Sequence, residues 1–583
     1  MKRSGITGAS IYATYLSPAA LILGYNLTVN LIMLSTQAFA ADFFEGFGFY
    51  LGDPHVHTGH STDGGSSDIG EGCPDCGAFS EVMEIARGNG LDFVTLSEHV
   101  NDEAHTTAEG FAAVIEATVT GNDPEGGFLT VMGAELWFRI GGAMVGHKNL
   151  YIFADNGALK SMTLNDVQFN SSEAGIEDCD DIWEWAAEVE EDWGSAILVP
   201  HHPAASGQMT TDWYCHDSKA AQVYSPVTEI YSRHGSSDWQ ESSFDPLWMG
   251  YSDRGSLGFA MDPEGMALRM GFFGGTDSHD TNPGGVCEGE IKMTQHPFGG
   301  GLTIAMLPES DSFNRENLLH AVRDRQTYAT SGPLLPAVVR YESGGAILGG
   351  MGAFVGLPDA QPLDVTLSVP PELAVYVLEV SLLGPHSRVA MTDIGDGHFT
   401  LTLDAEDVPA WTYPEITVSG ADWYGTGGCE DGGKNDEERV WLSPTWFDPA
   451  DADLDGDGVS WSEGDCDDGS ATVYPGAIED CTSGLDEDCD GSIDTEDDDC
   501  APLDTGGFED RTGPAQDTDD PPGVTPIGTP EWSEGSCATV RGAPGLASWG
   551  LLVLLAWRRR VHAGVDVGGP DGLCRRDKPR RRR

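Results

Sequence analysis

The sequence predicts an α/β chain organised around a parallel sheet or barrel, followed by a small β-rich region and an irregular module rich in Asp and Cys. Three observations predict it. Short apolar runs alternate with amphipathic stretches over residues 43–335, the pattern of repeated βα units. Imidazoles and carboxylates fall just after several of those runs. Beyond residue 336 the apolar runs become β-rich and the helix signals fade.

Taken in order, residues 1–40 read as an export signal. Lys2 and Arg3 supply the positive start, residues 21–33 are mostly apolar, and Ala38-Phe39-Ala40 is an A-x-A cleavage site. Export places the 12 cysteines in an oxidising compartment, where disulfides are expected. The strand-like runs of the next region are 91–96, 128–132, 150–153, 196–199 and 270–273, with helix-like segments at 79–87 and 181–190. His99 follows FVTLS, His201 follows AILVP and Asp277 follows GFFGG, and barrel enzymes build their sites at the carboxyl ends of strands.

Residues 336–446 carry LDVTLSV, AVYVLEVSLL, HFTLTLD and PEITVSG, which predict a small β-sandwich-like domain. Residues 448–500 hold 20 acidic residues, no Lys or Arg, and cysteines at 466, 481, 489 and 500. With almost no large apolar side chains, that module must be held by metal or disulfides. Residues 501–536 read as a flexible Pro/Gly/Asp/Thr spacer. Residues 537–560 pair Cys537 with an apolar run and Arg558-Arg559-Arg560, a membrane-attachment pattern obeying the positive-inside rule. The basic tail, 561–583, is assigned no function.

The whole chain has 583 residues and a formal net charge of -65, from 30 basic and 95 acidic residues. Nucleic-acid binding is thereby disfavoured, because it depends on neutralising phosphates with Lys and Arg. A hydrophobic content of 40%, with 15 Trp and 22 Phe, supports a sizeable core and excludes a wholly disordered chain.

The chemistry gathers in one ordered series: His55, His57, Asp63, His99, Glu135, His147, His201, Asp277 and His279. Two imidazoles two residues apart on an extended strand share a face and can chelate one ion. Imidazoles mixed with carboxylates suit zinc, manganese or iron, and nine ligands exceed the needs of a single ion. The series therefore predicts a multinuclear site for divalent transition-metal ions. Arg233, His234 and Lys148 lie close enough in sequence to stabilise anionic charge. Asp277, His234 and Arg233 are the candidate catalytic groups.

Elsewhere, Asp451, Asp453, Asp455 and Asp457 alternate ahead of Gly458, a pattern of oxygen ligands on a kinked loop that suits calcium. Cys73 and Cys76 form a CPDC pair that is expected in a disulfide, within the pair or to Cys179 or Cys215.

GDPHVHTGHSTDG, SEH, MGAEL, GHKNLY, PHHP and GGTDSHD together resemble the PHP (polymerase and histidinol phosphatase) superfamily over residues 50–335. Glu98 stands where that family usually has Asp. EIYSRHGSS and RQTYATSGP resemble its exported branch. The resemblance implies a distorted seven-stranded β/α barrel. His55, His57 and Asp277 would hold one ion, and Asp63, His99 and His279 a second. Glu135 would bridge the first ion to a third held by His147 and His201, with His202 competing for the last role. The implied activity is metal-dependent hydrolysis of phosphoester small molecules, with carbamate or amide hydrolysis as the alternative. A non-catalytic surface adhesion or binding protein is the reading from a different class. The acidic module resembles Asp/Cys-rich repeats of exported bacterial proteins, and the segment after Cys537 resembles myxobacterial surface-sorting signals.

Overall fold

A computed structural model describes residues 46–449 except 62–78, 102–104, 141–142, 169–177, 208–209, 239–243, 246, 249, 286–297, 333, 358–360 and 420–436. It also describes Val459, residues 472–477 and Cys489. The proposed export signal, Asp63, the CPDC pair, Asp451–Asp457 and the carboxyl-terminal attachment segment lie outside the described residues. The chain divides into residues 1–503 and 504–583, and all that follows concerns the first unit.

Ten strands carry the region of the ligand series: β1 (Phe47–Val56), β2 (Phe93–His99), β3 (Leu129–Ile140), β4 (Ala143–Ile152), β5 (Ala196–His201), β6 (Val227–Ser232), β7 (Gly235–Ser236), β8 (Gly271–Gly274), β9 (Leu302–Pro308) and β10 (Thr327–Thr330). β1, β2 and β3 are parallel neighbours. β4 is antiparallel to both β3 and β5, so β5 returns to the direction of β3. β9 and β10 continue the sheet beyond β1 in antiparallel pairs. The expectation of a parallel sheet thus holds only in part, because β3 and β4 are joined too closely for a helical crossover. β6 and β8 pair in parallel within a separate three-stranded sheet. Among the described residues no ladder closes these sheets into a barrel.

Among the described residues, four helices of seven or more residues cover the strands: α1 (Val82–Gly88), α2 (Ala108–Gly121), α3 (Asp180–Trp193) and α4 (Arg315–Arg323). Three of the ends have a clear local cause. The Thr107 hydroxyl accepts from Gly110 N at 3.0 Å to cap α2, and the Asn314 side chain accepts from Asn317 N at 2.8 Å to cap α4. α3 buries Ile182, Trp183, Ala186 and Val189, a single stripe at helical spacing, and stops at Gly194, whose φ of 97° a side chain would resist. β2 is buried on both faces, as its unbroken run FVTLSEH requires.

The strands after residue 336 are β11 (Val338–Ser343), β12 (Ala346–Gly350), β13 (Phe354–Leu357), β14 (Leu363–Ser368), β15 (Val377–Gly384), β16 (Ser387–Ala390), β17 (Thr392–Gly395), β18 (His398–Leu403), β19 (Trp411–Ser419), β20 (Glu437–Leu442) and β21 (Thr445–Pro449). They follow two courses. β12-β11-β14-β18-β17 form a five-stranded antiparallel sheet, whereas β20 pairs with β10 and draws β19, β21, β13, β15 and β16 into the main sheet. Val339, Val365 and Leu367 of the first set share an apolar cluster with Val380, Ile416 and Val440 of the second. The ladder between β10 and β20 makes the main sheet and the β-rich region structurally continuous.

Cys179 and Cys215 are bonded to each other, joining the start of α3 to the turn Trp213–His216. Neither is therefore available to Cys73 or Cys76, which corrects that part of the expected pairing. Among the described residues no helix is long and apolar enough to cross a membrane.

Candidate metal centre

The site lies where β1, β2, β3 and β5, running in one direction, meet the turn after β8. His55 lies one residue before the end of β1, His99 ends β2 and His201 ends β5, while Glu135 and His147 stand on β3 and β4. Asp53 positions the far side. Its carboxylate accepts from Thr276 N at 3.0 Å, Thr276 Oγ1 at 2.6 Å and Gly284 N at 2.8 Å, tying β1 to the turn that carries Asp277. A bridge between Val56 and Ser278 makes the same join. Asp277 has a φ of 53° and His202 a φ of 30°, left-handed conformations that side chains resist and that the surrounding fold enforces.

The described members of the series all converge there, and all are buried. Glu135 Oε2 lies 3.1 Å from His55 Nε2, 3.0 Å from His57 Nε2 and 3.5 Å from His99 Nδ1, while its Oε1 lies 2.8 Å from His147 Nδ1. Asp277 Oδ1 faces His57 Nε2 at 3.2 Å and His279 Nδ1 at 3.3 Å. Its Oδ2 faces His201 Nε2 at 3.2 Å and His234 Nε2 at 2.6 Å. Two carboxylates thus each turn one oxygen to one set of imidazoles and the other oxygen to another. Three groups have ligand atoms mutually within 4.8 Å: His57, His99 and His279; His55, Glu135, His201 and Asp277; and His201, His202 and His234. These buried His/Glu/Asp clusters are compatible with metal binding.

Alternation along β4 separates roles that sequence proximity had joined. His147 and Asn149 face the site, the Asn149 amide lying 2.9 Å from His55 Nδ1. Lys148 points the other way, donates to Val145 O at 3.3 Å, and is pushed down to about 7 by burial. Arg233 is likewise occupied. Its guanidinium donates to Asp280 Oδ1 at 2.9 Å and to the carbonyls of Asn282 and Gly285 at 3.0 and 3.1 Å. It therefore positions the loop after Asp277, in place of the anion-stabilising role its sequence position suggested.

Two residues that the ligand motifs did not single out complete the site. Glu229 on β6 accepts from His201 Nδ1 at 2.9 Å, which leaves Nε2 of that ring facing the cluster. Its sequence signal was its place in EIYSRHGSS. Glu98, the departure from the family's usual Asp, accepts from the backbone N–H and hydroxyl of Thr58 and so pins the chain after His57.

The electrostatics follow from this crowding. Burial alone would raise Glu135 and Asp277, but the surrounding imidazoles hold both well below the ordinary carboxylate range. Burial and His279 lower His57, yet Asp277 and Glu135 outweigh them and raise it from 6.5 to about 9. His201 is raised in the same way by Glu229 and Asp277. A histidine raised on folding stabilises the native state fully below about 6.5, and that stability is lost as pH rises through about 9. Chelator-stripped protein is therefore expected to melt at progressively lower temperature from pH 6.5 to 9, with zinc-loaded protein spared the decline. A flat or rising melting profile of the stripped protein would count against this protonated network.

In the comparisons with known proteins, the family Cu-binding MopE, described as "Putative metal-binding motif", matches residues 465–495. This is a motif typical of exported proteins, and it places a metal-binding motif within the acidic, cysteine-rich module. Asp451–Asp457, expected to take calcium, precede the matched span. Within that span, Cys489 is disulfide-bonded. No curated protein matches the chain.

Proposed function

We propose that this chain is an exported, surface-attached, metal-dependent hydrolase of the PHP type that cleaves phosphoesters. Two or three zinc, manganese or iron ions would serve the reaction, and the barrel of that family belongs to the same proposal. One observation carries the reading: Glu135 and Asp277 join the buried imidazoles into one continuous cluster at strand ends. The donor set itself fits cations. His55 Nε2 and His57 Nε2 approach to 3.0 Å while both face Glu135 Oε2, a convergence of lone pairs that divalent ions would satisfy.

His55, His57, His99, Glu135, His201, Asp277 and His279 would hold the ions. When bound, divalent ions supply Lewis acidity that activates water near neutral pH and polarises an ester oxygen. The chain's own residues do the rest. Glu229 and Asn149 fix the rings of His201 and His55, so the donors are oriented before substrate arrives. Asp277, held ionised by the surrounding imidazoles, keeps a negative charge at the junction of the histidine sets. Burial of the whole cluster excludes bulk water and strengthens each electrostatic contact.

The test is to purify the full chain, measure its metal content, and assay it with added manganese or zinc on aryl phosphates, phosphodiesters, carbamates and amides. Turnover of a phosphoester by protein holding at least one transition-metal ion per chain is expected. Turnover only of carbamates or amides would move the assignment to that class. Inactivity of metal-loaded protein across the panel would favour the binding reading, and protein with less than one ion per chain would overturn the metal centre itself.

A further inference from the structure

The family pattern assigns a third ion to Glu135, His147 and His201, but the side chains are arranged otherwise. His147 turns Nδ1 to Glu135 Oε1 at 2.8 Å, and it belongs to none of the groups whose ligand atoms converge. Beside His201 three imidazoles do converge, with the ring of His147 5.0 Å from that of His202. The ligand nitrogens of His201, His202 and His234 lie within 4.8 Å of one another, and the ring of His202 sits 3.8 Å from that of His201 and 5.4 Å from that of His234.

His202 has no other visible task. It is 2% exposed, and its Nδ1 has no hydrogen-bond partner among the described residues. A buried polar atom left unpaired costs about 1–3 kcal/mol, so such atoms normally mark a missing water or ion. The backbone strain at His202, with φ at 30°, aims this ring inward from the end of β5.

His201 presents a single free donor, because Nδ1 is engaged by Glu229 and Nε2 alone faces the cluster. One nitrogen lone pair serves one ion, so His201 cannot complete two sites at once. Asp277 has no such limit, since its Oδ2 faces His201 and His234 while Oδ1 faces His57 and His279.

We infer that His201, His202 and His234, with Asp277 Oδ2, form a divalent-cation position distinct from the one that Glu135, His147 and His201 would make. The inference rests on the metal-centre reading above and relocates one of its ions. Three imidazoles and one carboxylate match the four-coordinate preference of zinc, which is the ion the position would take foremost. Asp277 then becomes the second bridging carboxylate of the cluster, alongside Glu135. His234 becomes a ligand, not the free acid–base group that its place in sequence suggested.

Crystals of the zinc-loaded full chain, with diffraction recorded on both sides of the zinc absorption edge, test this directly. An anomalous peak at about 2.0–2.1 Å from nitrogens of His202 and His234 is expected. A peak bound by His147 and Glu135, with none at His202 and His234, would overturn the inference while leaving the metal centre standing. The absence of any peak would remove the metal centre as well. In parallel, His202→Ala/His234→Ala protein should bind one zinc fewer per chain than the parent, whereas His147→Ala protein should keep the parent count. The reverse pattern would also overturn the inference. Should the double variant fail to fold, the anomalous map of the parent decides.

Discussion

Glu135→Gln protein is expected to lose more than about 100-fold in kcat/KM on the best phosphoester substrate, together with part of its metal content. Even groups that stand behind metal ligands typically cost about 10–100-fold when removed, and Glu135 is placed to act directly. Its two oxygens face four imidazoles, one of them shared by His55 and His57 and the other turned to His147. Glutamine keeps the shape but replaces one acceptor by an amide that donates, so it cannot bridge. Burial makes the loss severe, because the imidazoles left facing a neutral amide have little bulk solvent to turn to. Kinetics and elemental analysis on the same preparation check the prediction. A variant with parental activity and parental metal content would remove Glu135 from the centre of the proposal.

Arg315→Met protein is expected to lose about 3–5 kcal/mol of stability, at about 1–3 kcal/mol for each backbone group left without a partner. Arg315 opens α4, yet its guanidinium is buried beneath the sheet. Nε donates to Thr130 O at 2.6 Å, and Nη1 donates to Ala154 O at 2.8 Å and Asn156 Oδ1 at 2.9 Å. One side chain thus ties α4 to β3 and to the chain leaving β4. Urea denaturation should show a lower midpoint with an unchanged slope. Arg315→Lys should recover only part of the loss, since an ammonium lacks the planar fork that reaches both carbonyls. A midpoint within error of the parent would show that these hydrogen bonds add nothing to stability.

Much of the site was legible in the sequence because short-range spacing limits what a backbone can present together. The H-x-H of His55 and His57 lies on one extended strand, and the D-x-H of Asp277 and His279 on one turn, so each pair could be read as a chelate. The apolar runs before His99, His201 and Asp277 correspond to β2, β5 and β8. Other parts were not legible, for reasons that are equally physical. The run through GHKNLY marks a strand but carries no sign of its direction, and only pairing with β3 and β5 makes β4 antiparallel. Lys148 and Arg233 were near the ligands in sequence, but alternation turned one away and Asp280 occupied the other.

By itself the sequence determined the candidate ligand types, their order, the strand ends that carry most of them, and an acidic, cysteine-rich module matched by a metal-binding motif. Those properties depend on residue identity and on spacings of a few residues. The tertiary structure alone decided that Glu135 and Asp277 each serve two sets of imidazoles, that Glu229 orients His201, and that His202 and His234 gather beside it. It also decided that the β-rich region joins the main sheet through β10 and β20. These arrangements bring together groups far apart in the chain. Which of them meet depends on strand direction and register, and those are set by burial and ladder pairing throughout the fold.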